Sequence, residues 1–172
     1  MKTILFLIFL FFPATAFWGS NNKPPAETAL DEPFAWMSLE QAHIEAASTG
    51  KTIMIFVEAE WCGICKQMRK NVFPQQNIQN LVNATILPVT IDLDSREPVV
   101  FNGETMTERN FARKMRVSAT PTTLFMDADG QVIAHQTGYV PADRFEALLD
   151  FIRSDDFGKM HFDEYFKNLR ID

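Results

Sequence analysis

Cysteine, histidine and basic residues are all scarce in this 172-residue sequence, which has two Cys, three His and 16 Lys plus Arg against 22 Asp plus Glu. Two cysteines cannot build a disulfide framework. A structural zinc site takes four ligands; no second cysteine pair exists, and His43, His135 and His161 lie far apart along the chain. They read as ordinary surface or partly buried histidines. Covalent haem attachment needs a histidine directly after the second cysteine, and Lys66 stands there. No metal and no bound cofactor are expected. The net charge of −6 argues against nucleic acid and anionic lipid as partners. Beyond residue 12 no apolar run approaches the ~20 residues that cross a bilayer.

What is present begins with a short basic start, Met1-Lys2, and the apolar run Ile4 to Phe12, closed by Pro13. Ala14-Thr15-Ala16 supplies the small-x-small pattern of a signal-peptidase site. Residues 1–16 are therefore expected to be a secretory signal peptide, with an uncleaved anchor as the alternative. Removing Lys2 from the 16 basic residues leaves 15 against 22 acidic ones, a net of −7. Residues 17–33 hold Gly19, Ser20, Asn21, Asn22, Pro24, Pro25 and Pro33 and read as a linker. One domain is expected over 34–153, followed by a C-terminal extension, 154–172.

Within the domain, Ser38 and Gln41 form a capping-box pattern that opens a helix running to about Ser48, with Gly50 suited to its end. Ile53 to Val57 is a short β-branched run expected to be a buried strand. Helix formers follow Cys62 until Pro74 interrupts, and Gln75 to Asn83 reads as a second helical piece. Ile86 to Leu93 is a strand, Asp94 to Glu104 a loop, and Thr107 to Met115 a helix. A strand from Thr122 to Met126 and one from Gln131 to His135 flank a turn ending Asp129-Gly130, a hairpin signal. Asp143 to Ile152 has Phe145, Leu148, Leu149 and Ile152 on one helical face. The tail carries Phe157, Met160, Phe162, Tyr165, Phe166 and Leu169, enough apolar surface to pack back on the domain as one more helix. Strands separated by helices favour parallel pairing, and the late hairpin adds an antiparallel pair. The fold class is α/β, a mixed central sheet with helices on both faces.

The two cysteines, Cys62 and Cys65, are three positions apart, directly after the first strand and at the start of a helix. So short a loop makes a poor entropic staple, so the pair is read as reactive, with an inert bridge as the alternative. Unpaired amides and the positive dipole end of a helix stabilise an anion. A thiolate at Cys62 would benefit and would be the attacking nucleophile. Trp61 would shield one side.

The stretch Trp61-Cys62-Gly63-Ile64-Cys65-Lys66 resembles the active-site segment of thioredoxins, and Ala119-Thr120-Pro121-Thr122 resembles their cis-proline loop. Gly138 falls where the superfamily has a glycine after its last strand. The resemblance covers about Ser38 to Ile152 and implies a thioredoxin-like fold. Glu58, Gly138-Tyr139 and Phe162-Asp163-Glu164-Tyr165 extend it toward periplasmic thioredoxin-like proteins of the SoxW type and the C-terminal domain of transmembrane thiol reductases. It implies that Pro121 is cis and sits against the cysteine pair, and that the Thr120 backbone pairs with an extended substrate; a plain strand-starting proline is the alternative. Two departures stand out: Ile64 replaces the middle-pair proline of thioredoxins, and Phe56 stands where they carry a buried Asp beneath the pair. Strand alternation puts Glu58 on the face of Phe56, two residues nearer the cysteines. It is either the proton acceptor for Cys65 or a solvated strand-end carboxylate.

The expected function is a periplasmic thiol:disulfide oxidoreductase acting on protein or small-molecule disulfides, with electrons from a membrane-embedded or soluble dithiol donor. The alternatives are the same chemistry run as an oxidase or isomerase, and a binding module whose cysteines only sense redox state. Gly63 and Ile64 offer Cys62 no donor side chain or positive charge, leaving the helix-end amides and Lys66. The Cys62 thiol is therefore expected to titrate at about 6–7.5, and the pair to have a potential more negative than about −200 mV. Thiolate absorbance against pH and equilibration with glutathione measure both, and a pKa below about 5 would instead mark an oxidase.

Overall fold

The computed structural model describes residues 32–170; the expected signal peptide and all of the expected linker before Glu32 lie outside the described residues. The chain then runs α1 (Leu39–Thr49), β1 (Thr52–Glu58), α2 (Gly63–Asn71), α3 (Gln76–Thr85), β2 (Ile86–Asp92), β3 (Pro98–Phe101), β4 (Glu104–Thr107), α4 (Glu108–Lys114), β5 (Thr122–Met126), β6 (Val132–Thr137), α5 (Ala142–Arg153) and α6 (Phe162–Asn168).

The capping box forms as the sequence indicates. Ser38 Oγ accepts from the Gln41 amide and Gln41 Oε1 accepts from the Ser38 amide, both at 3.2 Å. Gly50 closes α1 with φ +70°, a left-handed conformation that favours glycine. Ile53 through Val57 are all 0% exposed. A strand covered on both faces needs no polar alternation, which is why this run reads as continuously apolar.

The main sheet has strand order β2-β1-β5-β6. β1 and β2 are parallel, from Thr52 opposite Ile86 to Glu58 opposite Asp92. A parallel pair needs a long crossover, and α2 with α3 supplies it. On one face Met54, Phe56 and Phe125 meet Met68 of α2 and Val72 just past its end, Ile78 and Val82 of α3, and Phe145, Leu148 and Leu149 of α5. On the other, Ile53, Ile55, Val57 and Leu124 meet Leu39, Ala42 and Ala46 of α1 and Phe111 and Ala112 of α4. Phe73 is the hub of the first face, with ring centroids 4.9 Å from Phe56, 5.2 Å from Phe34 and 5.6 Å from Phe145. The extension packs on α5 through Phe151, whose ring lies 5.0 Å from Tyr165 and 5.7 Å from Phe162.

Two expectations need correction. Asp94 to Glu104 is not wholly loop: β3 and β4 pair antiparallel as a second, two-stranded sheet. Their turn is Asn102-Gly103, with φ +52° and +77°. Positive φ at both central residues is the two-residue hairpin geometry that Asn-Gly favours. The second correction concerns direction, since β1 and β5 are separated by helices yet pair antiparallel. The hairpin returns the chain to its starting point, where the Glu108 amide donates to Glu97 O. After α4, residues 115–121 lead to β5, which starts beside the end of β1, with Thr122 opposite Val57, and runs back to Met126 opposite Ile53.

Glu108 fixes where α4 begins, its Oε2 accepting from the Asp92 amide at 3.0 Å. Burial raises the Glu108 pKa, and the nearby Asp92 and Glu97 charges add to the rise against hydrogen bonds from Asp92 and Ser95. A carboxyl with a raised folded pKa costs stability above that pKa and costs none below the ordinary carboxylate range. Glu108→Gln keeps an acceptor and removes the charge. The variant is expected to be at least as stable as wild type in urea melts near pH 7, with the gain vanishing as pH falls below about 4; a variant less stable at pH 7 would show that the charge itself holds α4.

Candidate active site

β1 delivers the chain to the site. Past Glu58, residues Ala59 to Cys62 form a turn in which the Cys62 amide donates to Ala59 O at 2.9 Å. Cys62 is the N-cap of α2, with extended backbone at φ −76° and ψ 93°. Its Sγ accepts from the Cys65 amide at 3.1 Å. Cys62 and Cys65 are joined as a disulfide. Cys62 is 4% exposed and Cys65 0%, so Cys62 is the more accessible residue of a buried pair.

The rim is apolar and open. Trp61 is 67% exposed and Ile64 48%. Trp61 is fixed despite its exposure, because its Nε1 donates to Asp94 Oδ2 at 2.7 Å. Asp94 follows β2, so the Trp61 ring is held across the end of the sheet.

The second half of the site comes from β5. Thr122 pairs with Val57, which places residues 119–121 just beyond the end of β1. The Thr120–Pro121 peptide bond is cis. The Gly138 amide donates to Pro121 O at 2.8 Å, and Gly138 has φ +89°, which a side chain would resist. Thr122 Oγ1 donates to Ala119 O at 2.8 Å. Thr120 Oγ1 is buried without a partner among the described residues. The structure thus brings Trp61, Cys62, Cys65, Thr120, Pro121 and Gly138 to one end of the sheet.

Glu58 is at that end too, but it is not a freely solvated strand-end side chain. Arg69, one helical turn after Cys65 on α2, clamps it: Nε donates to Oε2 at 2.9 Å and Oε1 at 3.1 Å, and Nη2 donates to Oε1. Thr90 Oγ1 donates to Oε1 at 2.9 Å. Oε1 is crowded with donors, while Oε2 keeps acceptor capacity. Burial works against the Arg69 charge, but the hydrogen bond and attraction of Glu58, with Glu32 adding to them, win and raise the Arg69 pKa. Arg69 also stacks 4.8 Å from the Trp36 ring centroid. Arg69, Thr90 and Asp94 were not among the expected site residues. The spacing Cys65 to Arg69 was the available signal for the first; nothing local marks the other two, which meet the site only through sheet pairing.

The three histidines stay apart: His43 on α1 bonds Asn102, His135 lies on β6, and His161 caps α6. Among the described residues no group of three or more His, Cys, Asp or Glu is placed to hold a metal.

A family model described as a thioredoxin-like domain matches residues 39–153. The chain belongs to the thioredoxin-like family. It is similar to the thiol:disulfide interchange protein DsbD of Photorhabdus laumondii, at 27% identity over 79% of this chain and 22% of that protein. It is similar to the DsbD of Escherichia coli O6:K15:H31 at 30% identity over 77% of this chain and 22% of that protein. The chain thus spans about a fifth of the length of these relatives. Among solved structures, a thioredoxin-fold protein from Helicobacter pylori superposes with a TM-score of 0.61 at 19% identity, over 69% of this chain and 79% of that one. The thioredoxin-like fold read from the two motifs is the observed one.

Proposed function

We propose that this protein reduces substrate disulfides outside the inner membrane, in the periplasm, with Cys62 as nucleophile and Cys65 as resolving thiol. The observation that carries the reading is the hydrogen bond from the Cys65 amide to Cys62 Sγ at the start of α2. In the reduced protein that amide and the helix dipole favour a thiolate at Cys62. The apolar segment at residues 4–12 and the small-residue site after it support export. Among the described residues no helix is long and apolar enough to cross a membrane.

The chemistry is two successive exchanges. The Cys62 thiolate attacks one sulfur of the substrate disulfide; a new S–S bond forms to Cys62, the old one breaks, and the leaving thiolate takes up a proton. Cys65 then gives up its proton and attacks Cys62 Sγ, releasing the second substrate thiol and closing the Cys62–Cys65 disulfide. Two electrons have passed to the substrate. A dithiol donor, membrane-embedded or soluble, restores the pair by the reverse exchange, and no bound cofactor is required. Trp61 shields one side of the sulfur pair. The backbone at Thr120, Pro121 and Gly138 seats the extended substrate chain, and Glu58 accepts the Cys65 proton directly or through water. The clamp of Arg69 and Thr90 makes Glu58 a fixed acceptor.

Cys65→Ser is expected to accumulate a mixed disulfide with insulin, visible on non-reducing gels, while Cys62→Ser traps nothing and reduces nothing; the opposite pattern would reverse the roles. Lack of insulin reduction by wild type with dithiothreitol would leave the redox-sensing module as the reading. Glu58→Gln tests the proton acceptor. Resolution of the mixed disulfide should slow about tenfold or more, as general-base effects do, with Cys62 attack changed much less. Equal resolution rates in both proteins from about pH 6 to 8 would leave water as the acceptor.

A further inference from the structure

A groove of about 380 Å³ is lined by Leu93 and Asp94 after β2, Arg109 and Arg113 on α4, and Val117 and Ser118 ahead of the cis-proline loop. Two of its walls belong to the site already described. Asp94 is the acceptor that holds Trp61, the neighbour of Cys62. Ser118 precedes Pro121 by three residues, a chain distance of at most about 10 Å. A molecule whose disulfide meets Cys62 along the cis-proline loop therefore has this groove as a neighbour, across Trp61 and Asp94 on one side and Ser118 on the other.

The charges in the groove do not balance among themselves. Asp94 is already engaged, taking the Trp61 indole and lying 3.5 Å from Arg109 Nη2, which also donates to Asp94 O at 3.1 Å. Arg113 is exposed and makes no ion pair among the described residues. Arg109 and Arg113 are four apart on one helix, a like-charge spacing that by itself opposes the helix. Complementing the helix dipole accounts for a cation in the last turn of α4, but Lys114 already stands there, bonded to Glu104 and stacked on Phe101. In a chain of net charge −6, two guanidinium groups facing one committed carboxylate form a local excess of positive charge. Leu93 and Val117 give it an apolar lining, which strengthens a charge-assisted hydrogen bond to an entering anion.

We propose that this groove seats a carboxylate of the disulfide-bearing substrate, held by Arg113 with Arg109 beside it, so that disulfides with an anionic group near the sulfur are the preferred substrates. The proposal rests on the interchange reading above and adds the substrate class. A guanidinium fork matches a carboxylate in two-point geometry, and Arg113 has its donors free for it. The carboxylate comes either from a small acidic thiol or from an acidic side chain beside a protein cysteine.

The test uses the full chain, reduced, with Trp fluorescence following its oxidation by glutathione disulfide, which is anionic, and by bis(2-hydroxyethyl) disulfide, which is neutral. Because the two differ in intrinsic reactivity, the quantity read is the ratio of their rates in each variant. Arg113→Gln is expected to lower the anionic-to-neutral ratio about 3- to 10-fold, the size of an exposed-to-half-buried charged contact. Arg113→Glu should lower it further, Arg113→Lys should keep part of it, and about 0.5 M salt should compress it in wild type. A ratio unchanged by Arg113→Gln overturns the proposal. Disulfide peptides carrying Glu or Gln beside the cysteine separate the sources: a Glu preference lost in Arg113→Gln assigns a protein carboxylate, and a response confined to glutathione disulfide assigns a small thiol. A second readout needs no exchange. Glutarate titrated into the oxidised protein should shift the Leu93 and Val117 methyl resonances and the Arg113 side-chain resonance. Those shifts without disulfide exchange would sink the interchange reading alone; exchange with no such shifts would sink the groove alone.

Discussion

The hydrogen bond from the Cys65 amide to Cys62 Sγ is the contact around which the site is organised. A helix start leaves amides without backbone partners, and an N-cap side chain ordinarily supplies an oxygen to one of them. Here the cap atom is sulfur. The same atom therefore ends the turn from β1, starts α2 and forms one half of the disulfide. Any change that moves the start of α2 moves the reactive sulfur with it. The turn bond from the Cys62 amide to Ala59 O and the packing of Met68 and Val72 against β1 keep that start in place.

β1 carries this constraint into the rest of the molecule. Its five central residues are wholly buried, so both faces must be covered, and the two core clusters on either side do so. Its parallel neighbour β2 brings Thr90 and Asp94 to the site end, and its antiparallel neighbour β5 brings the cis-proline loop. The residues that meet at the cysteine pair thus come from segments far apart in sequence but adjacent in strand order.

That arrangement explains what could be read in the sequence. Elements whose signal is local were legible: the Ser38–Gln41 cap, the continuous apolar run of β1, the Asp-Gly turn before β6, and the cysteine pair at a strand-to-helix junction. The Asn102-Gly103 hairpin is equally local, but the strands it joins, β3 and β4, are only four residues each, so the apolar run Val99 to Phe101 gives little period to read. The antiparallel sense of β5 has no local signal, since it is set by pairing with β1 across a long stretch of sequence. Site residues divide the same way. Cys62, Cys65 and Pro121 sit in recognisable motifs, whereas Asp94, Thr90 and the groove arginines owe their roles to strand order.

The replacement of a buried aspartate by Phe56 fits the energetics of this core. Phe56 is 0% exposed and its ring is 4.9 Å from Phe73, within a cluster that includes Phe34, Trp36 and Phe145. A carboxylate there would lose its hydration within a mostly apolar cluster, a cost of several kcal/mol unless compensated. Glu58 is two residues further along the same face, where the sheet ends and the Arg69 and Thr90 donors are in reach. Its side chain is 19% exposed, enough for water to approach. The ionised group at Glu58 is held by direct hydrogen bonds from Arg69 and Thr90, whereas at position 56 the same guanidinium meets only a ring, 5.8 Å from the Phe56 centroid. On the proposed mechanism this shifts proton acceptance from beneath the cysteine pair to its flank. There the acceptor is coupled through Arg69 to Glu32 and to the Trp36 ring. The segment just before α1 thus reaches the chemistry through a single guanidinium.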